Sequence, residues 1–187
     1  MRELLRLFIA INFPEDIKTR LADLTLELKQ NTVKGHFTRK DNFHLTLAFI
    51  GETKYKEQVI QVIDNAVKNI GVNPFFLNIG GFGRFKGRDG DIFWVGVENN
   101  PVLTALNQAL TRELKKNEFK VDDKEFKPHL TLGREIRLKP GFTAQEFETS
   151  IPALTLHTKD ISLLKSERIE GRLVYTEIYH KELQPIL

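Results

Sequence analysis

His44-Leu45-Thr46-Leu47 recurs unchanged, 85 positions on, as His129-Leu130-Thr131-Leu132. In an extended strand successive side chains point to opposite faces. Each copy therefore places a histidine and a threonine on one face and two leucines on the other. The leucines can enter a core while the His-x-Thr pair looks into a cleft. Two such strands facing each other would offer two imidazoles and two hydroxyls to one substrate.

The surroundings of the two copies repeat as well. A strand at Leu4–Ile11 and a Pro14-initiated helix over 14–30, with Leu21, Leu24 and Leu28 at helical spacing, precede the first motif. A strand at Asp91–Glu98 and a helix over Pro101–Lys116, carrying Leu103, Leu106, Leu110 and Leu114, precede the second. Asn12 to His44 spans 32 positions and Glu98 to His129 spans 31. The motif strands read as 43–50 and 128–136. Asn31–Asn42 reads as a polar loop with a short strand, and a second helix follows the first motif from Tyr55 to Asn69. Gly80-Gly81 marks a bend in a strand over Phe75–Phe85, and Thr143–Glu148 reads as a helical turn. After each motif comes a two-strand unit, Phe75–Glu98 and Leu154–Leu183. The second unit is read as strands Leu154–Leu164 and Arg172–Leu183 around an Ile169-Glu170-Gly171 turn. A repeat of this kind predicts an α+β fold of two lobes related by approximate two-fold symmetry. Each lobe would be an antiparallel sheet with helices on its outer side, with the cleft between lobes and residues 1–187 forming one domain.

Composition narrows the chemistry. The 187 residues are 41% hydrophobic and 28% charged, the profile of an ordinary globular protein. There is no cysteine, which excludes disulfides, thiolate nucleophiles and cysteine-based zinc sites. A formal charge of +3 leans towards anionic partners without arguing for nucleic acid by itself. No apolar run approaches the ~20 residues of a membrane span. The charged start Met1-Arg2-Glu3 leads directly into a strand, so the expectation is a cytoplasmic protein, off the membrane.

An unperturbed histidine titrates near pH 6.5, so two of them can divide general base and general acid work near neutrality. In-line hydrolysis of a phosphodiester needs one group to take a proton from water and another to protonate the leaving oxygen. Threonine hydroxyls on the same face can donate to the non-bridging phosphate oxygens as charge builds there. No metal is required. Zinc ligation by His44 and His129 would fall short of the usual three protein ligands. Either tetrapeptide alone also fits the wet face of an ordinary strand.

The sequence resembles the two-histidine (HxTx) phosphoesterase superfamily, and within it the RNA 2′,3′-cyclic phosphodiesterases formerly named 2′-5′ RNA ligases. The resemblance rests on RLFIAINFPEDIK (Arg6–Lys18), NFHLTLAFIGE (Asn42–Glu52), DIFWVGVE (Asp91–Glu98) and FKPHLTLGRE (Phe126–Glu135). Ser166, Gly171 and Tyr175 are similar to the family's closing hairpin. The resemblance implies a bilobal α+β fold, no cofactor, and hydrolysis of a terminal 2′,3′-cyclic phosphate to a 2′-phosphate, with 2′-5′ RNA joining as the companion reaction. It implies RNA ends, tRNA halves among them, or nucleotides as partners of a monomer. By resemblance His44 is the proton donor, His129 the base, and Thr46 and Thr131 the phosphate holders. Symmetry of the motifs alone does not decide between acid and base.

Arg134, five residues after the second histidine, is similar to a family arginine that meets substrate. Strict alternation would turn it to the leucine face, so a bulge at Gly133 is predicted to re-aim it. Phe49, its counterpart in the first motif, is expected in the core. The basic runs Lys34-Arg39-Lys40, Arg84-Lys86-Arg88 and Lys124-Lys127 are candidate RNA contacts if they line the groove, and solvated loops otherwise. His36, His157 and His180 are expected to be structural or surface residues. The rival readings are a non-catalytic module that holds a nucleotide in the same cleft, and an esterase for another diester such as a 2′-5′ oligonucleotide or a cyclic ADP-ribose phosphate.

Overall fold

A computed structural model describes residues 3–121 and 124–184. Met1 and Arg2 of the charged start, and Asp122 and Asp123 in the approach to the second motif, lie outside the described residues. The elements run β1 (Leu5–Asn12), α1 (Glu15–Gln30), β2 (Thr32–Phe37), β3 (His44–Thr53), α2 (Lys56–Ile70), β4 (Phe75–Phe85) and β5 (Asp91–Val97). They continue with α3 (Pro101–Lys116), β6 (His129–Leu138), α4 (Ala144–Glu148), β7 (Leu154–Thr158), β8 (Asp160–Ile169) and β9 (Arg172–Glu182). The fold is α+β with two antiparallel sheets, ordered β3-β1-β8-β9 and β2-β6-β5-β4-β7.

The helices form where periodicity and end signals agree. In α1 the acids Glu15 and Asp16 sit in the first turn, favourable to the helix dipole, and Ile17, Leu21, Leu24 and Leu28 are buried. Asn100 caps α3 by accepting from the backbone N–H groups of Val102 and Leu103, with Pro101 opening the first turn. The short α4 carries a capping box between Thr143 and Glu146. All four motif leucines are 2% exposed or less and join one apolar core that draws residues from both sheets.

The repeat is interlaced rather than laid end to end. Strand β1 pairs with motif strand β3 on one side and with β8, from the far end of the chain, on the other. Strand β5 pairs with motif strand β6 and with β4, which follows the first motif. The hairpin after each motif thus completes the sheet of the other motif. The predicted single strand Leu154–Leu164 is corrected accordingly. It splits at Lys159 into β7, an edge partner of β4, and β8, a central strand of the other sheet. The β8–β9 turn stands as read: Ile169 pairs with Arg172, and Glu170 and Gly171 both have positive φ, as a tight hairpin requires. Side chains fasten the helices across the same exchange. Asn107 of α3 donates to the Leu47 carbonyl of β3 at 2.8 Å, and Tyr179 of β9 donates to Asp64 of α2 at 2.6 Å.

The interlacing makes β8 as central to the first sheet as β1. Leu163 and Ile9 are paired across these strands and neither has any exposed surface. Leu163→Ala is expected to destabilise the whole protein by about 2–5 kcal/mol, as much as Ile9→Ala, in a single urea transition. A transition in which the first sheet survives loss of Leu163 would contradict the exchange.

Candidate active site

The alternation of the motif strands separates core from cleft. Leu45, Leu47, Leu130 and Leu132 point inward, and His44, Thr46, His129 and Thr131 line one cleft of about 750 Å³. Each imidazole is fixed in the same way. His44 Nδ1 lies 2.8 Å from the Asn42 carbonyl oxygen, and His129 Nδ1 lies 2.7 Å from that of Lys127. A carbonyl only accepts, so Nδ1 carries the proton and donates it in both rings. That leaves each Nε2 as the nitrogen free for chemistry. His44 Nε2 accepts the hydroxyl proton of Thr46 at 3.0 Å.

Aromatic walls hold both rings. His44 stands between Phe8, 4.8 Å between centroids, and Tyr175, 5.1 Å and edge-on. His129 stands beside Trp94 at 5.8 Å and Phe85 at 5.3 Å. Phe8 lies on β1 and Trp94 on β5, the corresponding strands of the repeat. Trp94 in turn lies over Gly83, where a β-carbon would come within 1.9 Å of the indole, so only glycine leaves room.

Both motif strands carry an irregularity just after the tetrapeptide begins. Ile9 pairs with Ala48 and Ala10 with Thr46, which leaves Leu47 as an extra residue; Phe93 pairs with Gly133 and Trp94 with Thr131, which leaves Leu132 as one. An extra residue reverses the in-and-out parity of everything after it. Arg134 is thereby turned into the cleft, as its assignment required. The positive φ falls on Glu135, at 54°, rather than on Gly133. Gly133 serves by being small: a β-carbon there would stand 2.8 Å from Ile136 and 3.1 Å from the His36 carbonyl oxygen on the neighbouring strand.

The same parity reversal corrects one expectation, and strand pairing corrects another. Phe49 is not a core residue; it is 49% exposed and lines the cleft, with the Arg6 guanidinium 5.2 Å over its ring. His36 is more than a surface residue, because β2 runs beside β6 and brings it to the cleft wall, 3.7 Å from Glu135. His157 stacks on Phe76 and His180 lies 3.9 Å from Glu177, away from the cleft as expected. Of the three basic runs only Arg39 reaches the lining among the described residues, joined by Arg6, Arg134 and Arg168. Against these four cations the described lining sets one carboxylate, Glu167. Lys34 and Lys40 are ion-paired with Glu135 and Glu15. The cleft therefore favours an anion. Among the described residues no group of three or more His, Asp or Glu side chains is placed to hold a metal ion, and no helix is long and apolar enough to cross a membrane.

Burial holds His44 well below the usual range, at about 4; the Asn42 carbonyl opposes the shift and the Lys18 charge adds to it. Its far side borders a second cavity of about 300 Å³, lined by Asn12, Lys18, Asp41 and Glu177. Burial also pushes the Tyr175 phenol up, while the Arg134 and Arg6 charges pull it down. Because folding depresses the His44 value, the unfolded chain binds this proton more readily between pH 6.5 and about 4. The stability contribution is therefore present above pH 6.5 and fully lost below about 4. His44→Gln should show a smaller fall in urea midpoint between pH 7 and pH 4.5 than the parent protein, and an equal fall would show that His44 titrates normally.

A family model described as the 2′-5′ RNA ligase superfamily matches residues 13–170. RNA 2′,3′-cyclic phosphodiesterase from Thermotoga maritima is 32% identical over 132 residues, 70% of this chain and 70% of that protein. The protein of the same name from Escherichia coli is 28% identical over 180 residues, 95% and 96% of the two chains. Crystal structures agree in fold: LigT of E. coli complexed with 3′-AMP superposes with a TM-score of 0.76 at 24% identity, covering 97% of this chain and 99% of that one. TT0787 of Thermus thermophilus gives 0.76 at 22% identity, with the same coverage. The paired His-x-Thr strands, their common cleft and these matches together show that the chain belongs to the 2′-5′ RNA ligase superfamily of two-histidine phosphoesterases.

Proposed function

We propose that the protein hydrolyses RNA or nucleoside 2′,3′-cyclic phosphates to 2′-phosphates. The observation that carries this reading is the pair of imidazoles locked in one tautomer, each offering Nε2 to a single arginine-lined cleft. The names of the relatives supply the substrate class. Water attacks phosphorus opposite the 3′ oxygen. His129 Nε2 takes the proton of that water, the P–O3′ bond breaks, and His44 Nε2 gives a proton to the departing oxygen. Thr46, Thr131 and Arg134 donate to the non-bridging oxygens as negative charge grows on them. Both rings end in the opposite protonation state and reset by exchange with solvent. When the 5′-hydroxyl of a second RNA takes the place of water, the same steps give a 2′-5′ linkage.

The division of labour between the histidines follows the family resemblance. The low value at His44 belongs to the free protein; an anionic diester beside the ring favours its charged form, and Thr46 then turns its hydroxyl from the ring to the phosphate. Every group in this scheme comes from one chain, so the 187 residues act as one two-lobed unit and a monomer suffices. Both proton transfers are performed by side chains, so the scheme needs no cofactor. RNA ends as substrate fit a cytoplasmic protein.

His44→Ala and His129→Ala should each lower turnover of a nucleoside 2′,3′-cyclic phosphate in EDTA by about 10²–10⁴-fold while the urea midpoint at pH 7 stays near that of the parent. Phosphorus NMR should place the product phosphate on the 2′ oxygen. A 3′-phosphate would reverse the proposed roles, activity that required added metal would overturn the mechanism, and tight binding without product would leave a nucleotide-binding module.

A further inference from the structure

Phe49 and Arg134 occupy the same place in the two halves, five residues after a motif histidine and turned into the cleft by matching bulges. One is a cation suited to the phosphate. The other is an apolar ring, half open to solvent, in a cleft otherwise lined largely by polar groups and arginines. The core does not draw on it, since the surrounding β1 and β3 leucines and isoleucines are already buried. The Arg6 guanidinium lies over the ring at 5.2 Å, a cation–π contact that fixes ring and arginine as one unit. Leu173, 38% exposed, and Tyr175 line the same cleft.

We infer that Phe49, backed by Arg6, is a stacking platform for the nucleobase of the nucleotide whose cyclic phosphate lies between the two histidines. The inference rests on the hydrolysis proposed above and adds the part of the substrate that the motif residues do not touch. Exposed rings serve this purpose because every base has a π-face, so the platform holds a nucleoside without reading its sequence. Its position fits the division of the cleft. The threonines and Arg134 address the phosphate, and Phe49 sits on the strand of the first motif, where it can anchor the nucleoside while the diester is turned to the histidines. The platform is a positioning device: it takes no proton and touches no reacting atom.

Base–aromatic stacking contributes about 1–3 kcal/mol per base, which corresponds to about 5- to 150-fold in affinity. The test compares adenosine 2′,3′-cyclic phosphate with ribose 2′,3′-cyclic phosphate, which has the same reacting group and no base. In Phe49→Ala, KM for the adenosine substrate should rise within that range with kcat little changed, while kinetics on the base-free ring should stay as in the parent protein. Phe49→Trp should retain the parent KM for the adenosine substrate. Equal losses on both substrates would make Phe49 a structural support of the cleft and overturn the platform, and so would an unchanged KM for the adenosine substrate. Failure of the parent protein to turn over either substrate would instead strike the hydrolysis itself, so the two ideas fail separately.

Discussion

Everything functional in this molecule depends on one hydrogen bond made twice: imidazole Nδ1–H to the backbone carbonyl two residues earlier. A free histidine presents either nitrogen and spins about two bonds. Once Nδ1 is tied to the Asn42 or Lys127 carbonyl, the ring keeps one tautomer, one orientation and one basic nitrogen. The bond is local, between positions i and i−2, so the sequence around each motif supplies it without help from distant elements. What distant elements supply is the wall against which the ring stands, Phe8 and Tyr175 on one side of the repeat and Trp94 and Phe85 on the other.

Two such rings are useful only if they are held in register with each other. The interlaced sheets account for this. Had each half folded on its own hairpin, the lobes would meet across an ordinary interface and the cleft would open and close with their relative motion. Because β8–β9 completes the sheet of the first motif and β4 completes that of the second, the backbone itself ties the lobes together. A common apolar core beneath both motif leucine pairs adds to the tie. The cleft is therefore preorganised by the topology, which is the condition under which fixed donors and bases accelerate a reaction.

Much of this was legible from the chain alone. The leucines at 21, 24 and 28, and at 103, 106, 110 and 114, form buried helix faces, and the motif alternation separates core from cleft as read. Those signals are properties of one segment. Phe49, His36 and the split at Lys159 are properties of pairs of segments. A bulge exists only relative to its partner strand, so the parity that carries Phe49 outward is set by β1 as much as by β3. The alternating run from Leu154 to Leu164 records that each residue has an inside and an outside, and not which sheet it joins. Arg6 carried a usable signal, a lone cation in the apolar run LLRLFIAI. The pairing of Phe49 with Arg134 carried another, since a bulge inferred for one copy of a repeat belongs in the other.

Identical tetrapeptides cannot assign acid and base, so the difference must come from the residues packed around them. Those surroundings are unlike in the ways that matter. His44 is buried with the Lys18 charge near it, it borders a second cavity, and its Nε2 is occupied by the Thr46 hydroxyl. His129 stands against Trp94 and Phe85 instead, with its Nδ1 tied to the Lys127 carbonyl and its Nε2 directed to chemistry. A ring held neutral and capped, as His44 is, stays inert towards solvent until an anion both displaces the cap and favours the proton. Under the proposed mechanism His44 becomes an acid only with a phosphodiester beside it, and the proton it donates arrives with the substrate. The repeat provides two equivalent imidazoles, and the residues outside the repeat make one of them conditional.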